Sequence, residues 1–196
     1  MLTLERRLSE YSSLWLDENR FEEDPKIVDS FFDFLSTHSN CYSRSLLVGH
    51  ITASALVTPP DLSRVLLTHH RNLQRWLQLG GHCDGNPNVS EMALREAEEE
   101  SGIENLRLAS PRILDLDIHE IPSRKDEPAH LHYDVRFLVI APEPDRISVS
   151  EESLDLRWFE WEAARELTEE RSMRRQFEKV RFLRENRCPS FYSSSP

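Results

Sequence analysis

The chain is short of cysteine, short of bases and without a long apolar run, and each shortage excludes something. Its three cysteines, Cys41, Cys83 and Cys188, are far apart and odd in number, so neither a disulfide framework nor a paired CxxC site is available. A reduced, cytoplasmic compartment is the simplest expectation. The 24 lysines and arginines are outnumbered by 35 aspartates and glutamates, for a formal charge of −11. Such a field repels a phosphate backbone, so a nucleic-acid polymer is not an expected partner, whereas a small anion handled through cations remains open. No uninterrupted apolar stretch suits a membrane span, and the opening MLTLERRLSE is amphipathic and charged, unlike a secretory leader. Internal repeats are missing too, as is any linker long enough to hold separate domains apart.

What is present suffices for a core. Nine Phe, four Trp and four Tyr in 196 residues argue against disorder despite a hydrophobic fraction of only 38%. Leu4, Leu8, Tyr11 and Trp15 recur at helical spacing and predict a first helix. A second is expected from Asp24-Pro25, with Asp as cap and Pro in the first turn, turning Ile27, Val28, Phe31, Phe32 and Leu35 inward. From Leu46 the pattern becomes strand-like: Leu46 to Val48, Ile51 to Thr58, Arg64 to Thr68, and a short extended stretch from Trp76 halted by Gly80-Gly81. Ile113 to Ile118, the continuous apolar run Val135 to Ala141 and Leu156 to Phe159 add further strands. Residues 162–187 read as helix, with acids and bases interleaved so that Arg171, Arg174, Arg175, Lys179 and Arg181 form a solvated face. Strands and helices alternate without a strict βαβ rhythm, so a mixed sheet with helices on its faces is expected.

One segment carries chemistry. Gly80-Gly81-His82-Cys83-Asp84-Gly85 is a glycine-rich loop leading into a helix that Asn88 can cap, with Glu91 three residues later. Gly102 supplies the left-handed position at its end. On that helix Glu96, Glu99 and Glu100 fall within an arc of roughly 100°. Three carboxylates so close repel one another unless cations sit between them, and hard divalent ions with oxygen ligands answer that need. Arg95 flanks them and can hold their rotamers.

The segment resembles the Nudix box: Gly, five residues, Glu, seven residues, then Arg-Glu-apolar-any-Glu-Glu-any-Gly-apolar. With Gly81 as the first glycine, the stretch Arg95-Glu96-Ala97-Glu98-Glu99-Glu100-Ser101-Gly102-Ile103 matches the whole second half. The early glutamate falls on Pro87, which has no carboxylate. The resemblance implies an α/β/α sandwich around a mixed β-sheet, here with an N-terminal helical extension over 1–44, the hydrolase domain over 45–187 and a frayed tail over 188–196. It implies metal-dependent hydrolysis of the pyrophosphate bond in a small nucleoside-diphosphate derivative: an ADP-ribose-like compound, a dinucleoside polyphosphate or a nucleoside triphosphate. Carried over by position, Glu96, Glu99, Glu100 and the carbonyl of Gly81 would hold Mg²⁺ or Mn²⁺, with Arg95 orienting the glutamates. Glu151 and Glu152, in Ser150-Glu151-Glu152-Ser153, are the candidates for a general base, with Glu152 set beside Glu99 and Glu100 as catalytic. Loss of the early glutamate leaves a second reading, a catalytically weak nucleotide-binding or sensor module on the same fold.

Outside the box, His130 and His132 are two apart and share one face of a strand, where they could meet the phosphate or base of a substrate, or a metal. Arg71 could meet phosphate. No Cys/His spacing resembles a structural zinc site, and Cys83 reads as a small buried thiol. The N-terminal helices could join two copies into a homodimer or cap a single one.

Overall fold

A computed structural model describes residues 2–16, 20–124, 128–144, 146–186 and 188–192. At the N-terminus, α1 (Leu4–Tyr11) buries Leu4, Leu8 and Tyr11 on one stripe. A single wider turn over Ser12–Leu16 continues it and brings Trp15 inward, where its indole N–H donates to the carbonyl of Ile113 at 3.1 Å. The next helix, α2 (Ile27–Thr37), starts slightly later than Asp24-Pro25 suggests. Asp24 instead builds a turn, its carboxylate accepting from the Lys26 N–H and its carbonyl from that of Ile27. Phe34 takes an inward place beside Ile27, Val28 and Phe31, while Phe32 and Leu35 are only half-buried.

Eight strands form one mixed sheet. They are β1 (Gly49–Thr58), β2 (Arg64–His70), β3 (Arg75–Leu77), β4 (Leu79–His82), β5 (Arg107–Leu108), β6 (Asp115–Ile121), β7 (His130–Ile140) and β8 (Ser153–Glu160). At the centre β1 runs parallel to β7 over its whole length, His50 beside His132 and Thr58 beside Ile140. On its other edge β1 pairs antiparallel with β4 and then β2. Beyond β7 lie β6 and β5, and beyond β2 lie β3 and β8. Two expectations fail here. Leu46 to Val48 is turn rather than strand, with Leu47 and Val48 exposed. Gly80-Gly81 does not halt the extended stretch, because both residues pair with Ser54 and Ala53 of β1.

Every residue of β1 is buried, since helices cover both faces of the sheet. The long helix α3 (Val89–Ser101) packs against β1, β4 and β7. Period-two alternation gives the opposite face His50, Thr52 and Ser54 of β1, His132, Asp134 and Arg136 of β7, and Asp115, Asp117 and His119 of β6. After the short α4 (Trp161–Glu166), the chain breaks before α5 (Arg171–Asn186), which lies on that polar side. The expected solvated basic face of this helix is corrected at two positions. Lys179 is fully buried and Arg175 largely so, because each answers Asp115 at 2.8 Å.

Lys179 also donates to the Tyr11 hydroxyl at 2.8 Å and pairs with Glu23. Arg136 reaches Asp134, Asp115 and Asp117 at 2.7, 3.2 and 3.1 Å. The N-terminal segment is thus tied to α5 and β6 by ions as well as by apolar packing. Over its described residues the tail is not frayed, since α6 (Pro189–Tyr192) buries Phe191 completely against Trp15. Residues 193–196 of that expected tail lie outside the described residues.

Candidate active site

The carboxylate helix begins where the glycine loop ends. Asn88 precedes the first turn without a side-chain bond to its backbone; its side-chain amide instead donates to the Glu91 carboxylate at 2.5 Å. At the far end Gly102 sits at φ 65°, the left-handed conformation that L side chains disfavour, and its N–H returns to the carbonyl of Glu98 at 2.8 Å. Met92, Ala93 and Ala97 are buried toward the sheet. That packing fixes the helix against β4 and brings Glu96 and Glu100 to its glycines.

Gly81 and Glu96 are in intimate contact: a Cβ at Gly81 would collide with the Glu96 carboxylate. Glu100 is bonded to the backbone of Gly80 and keeps its Oε2 buried without a hydrogen-bond partner. Burial, reinforced by the neighbouring Glu96 and Glu152, pushes Glu100 up to about 8. Burial raises Glu96 as well, with Arg95 opposing it through a contact of 3.2 Å. Glu99 behaves differently. Its side chain is 63% exposed and lies 3.5 Å from Arg95. Arg95 therefore bridges Glu96 and Glu99.

These residues fit a hard divalent cation. A buried carboxylate oxygen with no donor, two inward acids displaced upward and a glycine whose missing side chain makes room for them form an oxygen cradle, with Arg95 its cationic neighbour. Glu96, Glu100 and the Gly81 carbonyl would hold the ion, and Glu99 would join by turning away from Arg95.

Glu152 stands in the turn before β8, close enough to act electrostatically on Glu96, Glu100 and His70. Arg71 is what holds that turn. Its backbone N–H donates to Glu152, its Nε to the carbonyl of Glu151 at 2.9 Å and its Nη2 to that of Ser153 at 3.0 Å. The guanidinium is thus committed to loop carbonyls rather than turned to a phosphate.

Pro87 is exposed where a bracing glutamate is expected. The loop is braced otherwise: Arg44 grips Asp84 with two bonds of 2.7 and 2.9 Å, and the N–H of Gly85 donates to Tyr42 at 2.8 Å. Arg44 escapes a motif reading because it lies forty residues upstream.

His130 and His132 fall on the polar sheet face, His130 buried and His132 half-buried. They meet His50, His82 and His119 there, with neighbouring ring centroids between 4.8 and 5.5 Å apart. These three partners come from other strands, so spacing along the chain carries no sign of them. Nearby on the same face a cavity of about 990 Å³ is lined by Gln78, Asp117, His119, Arg136 and Arg175, among others. None of the three cysteines is joined in a disulfide, and Cys83 is buried as expected.

Comparison with known proteins places this architecture. The fold is similar to that of a C. elegans Ap4A hydrolase in a binary complex, at 18% identity and a TM-score of 0.56, over 69% of this chain and 98% of that one. It is also similar to the E. coli dihydroneopterin triphosphate pyrophosphohydrolase (22% identity, TM-score 0.51, 66% and 92% covered). A third similar structure is the M. smegmatis Nudix hydrolase RenU (20% identity, TM-score 0.52, 70% and 88% covered). No curated protein sequence matches. A sequence profile described as the NUDIX domain matches residues 49–180, taking in the sheet from β1 onward, the carboxylate helix and over half of α5, and on that match this chain belongs to the Nudix family of hydrolases.

Proposed function

We propose that this Nudix pyrophosphohydrolase cleaves the diphosphate linkage of a small nucleoside-diphosphate derivative by attack of water on phosphorus, with Mg²⁺ or Mn²⁺ at Glu96, Glu99, Glu100 and the Gly81 carbonyl. The observation that carries the reading is the inward pair of Glu96 and Glu100 against Gly80-Gly81, both displaced upward by burial and by neighbouring carboxylates. When bound, a divalent cation would offset charge gathering on the phosphoryl oxygens and make a bound water more acidic.

The side chains divide the remaining work. Arg95 keeps Glu96 aimed at the glycines. Glu152, held in its turn by Arg71, accepts the proton from the attacking water at its carboxylate. The cavity beside the polar sheet face receives the nucleoside end, with Gln78 and Asp117 offering hydrogen bonds and Leu77 and Ile121 apolar contact. The structurally similar enzymes act on unlike compounds, so the class of linkage is the level at which the substrate is proposed. Among the described residues no helix is long and apolar enough to cross a membrane, and with its three cysteines outside any disulfide a cytoplasmic setting suits this reading.

The test is a panel of nucleoside-diphosphate derivatives incubated with Mg²⁺ or Mn²⁺ in ¹⁸O-labelled water. Release of a nucleoside monophosphate carrying label, lost on Glu100→Gln, supports the proposal. Tight nucleotide binding with no product over a long incubation supports the sensor reading that Pro87 suggests.

A further inference from the structure

We propose that His50, His130 and His132 form a second metal site, for a transition-metal ion of the zinc class, on the sheet face opposite the carboxylate helix. Among the described residues, these side chains bring three ligating nitrogens within 4.8 Å of one another. Imidazole nitrogens about 2.0–2.1 Å from a tetrahedral zinc ion lie about 3.4 Å apart, so binding would draw the three rings together. The backbone places them: His50 of β1 and His132 of β7 are register partners in the parallel pair, and His130 precedes His132 by two on the same face.

The proton positions suit metal binding. His130 Nδ1 lies 2.9 Å from the carbonyl of Pro128. A carbonyl only accepts, so Nδ1 carries the hydrogen and Nε2 of the neutral ring carries a lone pair. His119, whose register partner is His132, is held in the same manner at Nδ1 by Asp117 at 3.0 Å. Such outer partners, a backbone carbonyl or a carboxylate, are those that orient metal-binding histidines. His132 Nε2 is buried and makes no hydrogen bond. The fourth position falls to His82, whose ring centre is 5.1 Å from that of His50 and 5.3 Å from that of His132.

Imidazole suits zinc-class ions, whereas carboxylate and carbonyl oxygens suit magnesium and manganese. The two sites would therefore sort metals between them, and the histidine site stands independently of the hydrolytic reading.

The experiment uses the full chain, free of any affinity tag and stripped of metal, titrated with Co²⁺ in excess Mg²⁺. The expected result is one Co²⁺ per chain with the visible absorption of nitrogen coordination, retained in Glu96→Gln/Glu100→Gln. Affinity should fall by more than roughly 100-fold in His130→Gln/His132→Gln, beyond what loss of an outer partner costs. Should that variant not fold, ¹⁵N spectra of the unaltered protein titrated with Zn²⁺ decide: the ring nitrogens of His50, His130 and His132 must shift together at one equivalent. Absence of those shifts, unchanged Co²⁺ binding in the histidine variant, or loss of binding in the glutamate variant overturns the proposal.

Discussion

The carboxylate of Glu96 occupies the space that a side chain at Gly81 would fill. The glycine thus serves the proposed metal site through what it lacks. Adding a methyl group in Gly81→Ala pushes aside the free end of a flexible side chain, not backbone, so stability should change by less than about 1 kcal/mol. Turnover should fall by about 100-fold, the loss that a misplacement near 1 Å produces at a reacting centre. Denaturant melts alongside steady-state rates check both halves. An alanine variant as active as the parent would remove Gly81 from the site.

Glu100 links the site to pH. Its pKa in the folded chain is about 8 against an ordinary value of 4.5, so the folded state binds more protons than the unfolded state between those limits. The stability associated with this group is therefore complete below pH 4.5 and is lost as pH rises through about 8. The slope is at most about 1.4 kcal/mol per pH unit. In the metal-free protein Glu100→Gln should flatten that slope and raise the melting temperature at about pH 8. Mg²⁺ should stabilise the unaltered protein at that pH but act much more weakly on Glu100→Gln. Parallel thermal melts at about pH 5 and about pH 8 measure each effect.

Away from the site, Lys179 is a buried cation shared by Asp115, Glu23 and the carbonyl of Leu114. Lys179→Met keeps the volume but leaves Glu23 buried beside Tyr11 without its cation. The expected cost is about 3–5 kcal/mol, the range for breaking a buried ion pair from one side. Adding Glu23→Gln should return some of the loss, because the stranded charge is then gone. Urea unfolding of the single and double variants tests this, and a cost under about 1 kcal/mol would mean that the network contributes little.

The legible features of this protein were those that lie close along the chain. Gly81, Arg95, Glu96, Glu99, Glu100 and Gly102 fall within one short strand and the helix that follows it, so spacing alone puts them together. The polar sheet face was illegible because its members arrive from distant segments. His50 is eighty-two residues from its partner His132, and Asp115 is sixty-four from Lys179. Lys179 and Arg175 illustrate the cost of local reading, since among interleaved acids and bases nothing marks which cation faces a buried aspartate. Gly80-Gly81 misleads as a strand breaker for the opposite reason: glycine is needed within the strand so that a carboxylate can approach the backbone.

Arg71 illustrates how a residue expected at phosphate can serve the reaction from behind. Both arms of its guanidinium bond carbonyls flanking Glu152, so Arg71→Ala frees the turn while leaving every carboxylate intact. If Glu152 accepts the proton of the attacking water, the variant loses orientation at the chemical step. The expected pattern is kcat reduced by about 10–100-fold with KM changed less than about threefold, general-base catalysis contributing about 100-fold or more. A direct phosphate contact would give the reverse, a raised KM with kcat largely kept. Arg71→Lys should not rescue, since an ammonium group cannot span two carbonyls as a planar fork does. The decisive measurement is the double variant Arg71→Ala/Glu152→Gln. Two residues acting through one proton transfer are not additive, so the pair should be scarcely slower than Glu152→Gln alone. Full additivity of the two losses would separate Arg71 from Glu152 and return it to the substrate.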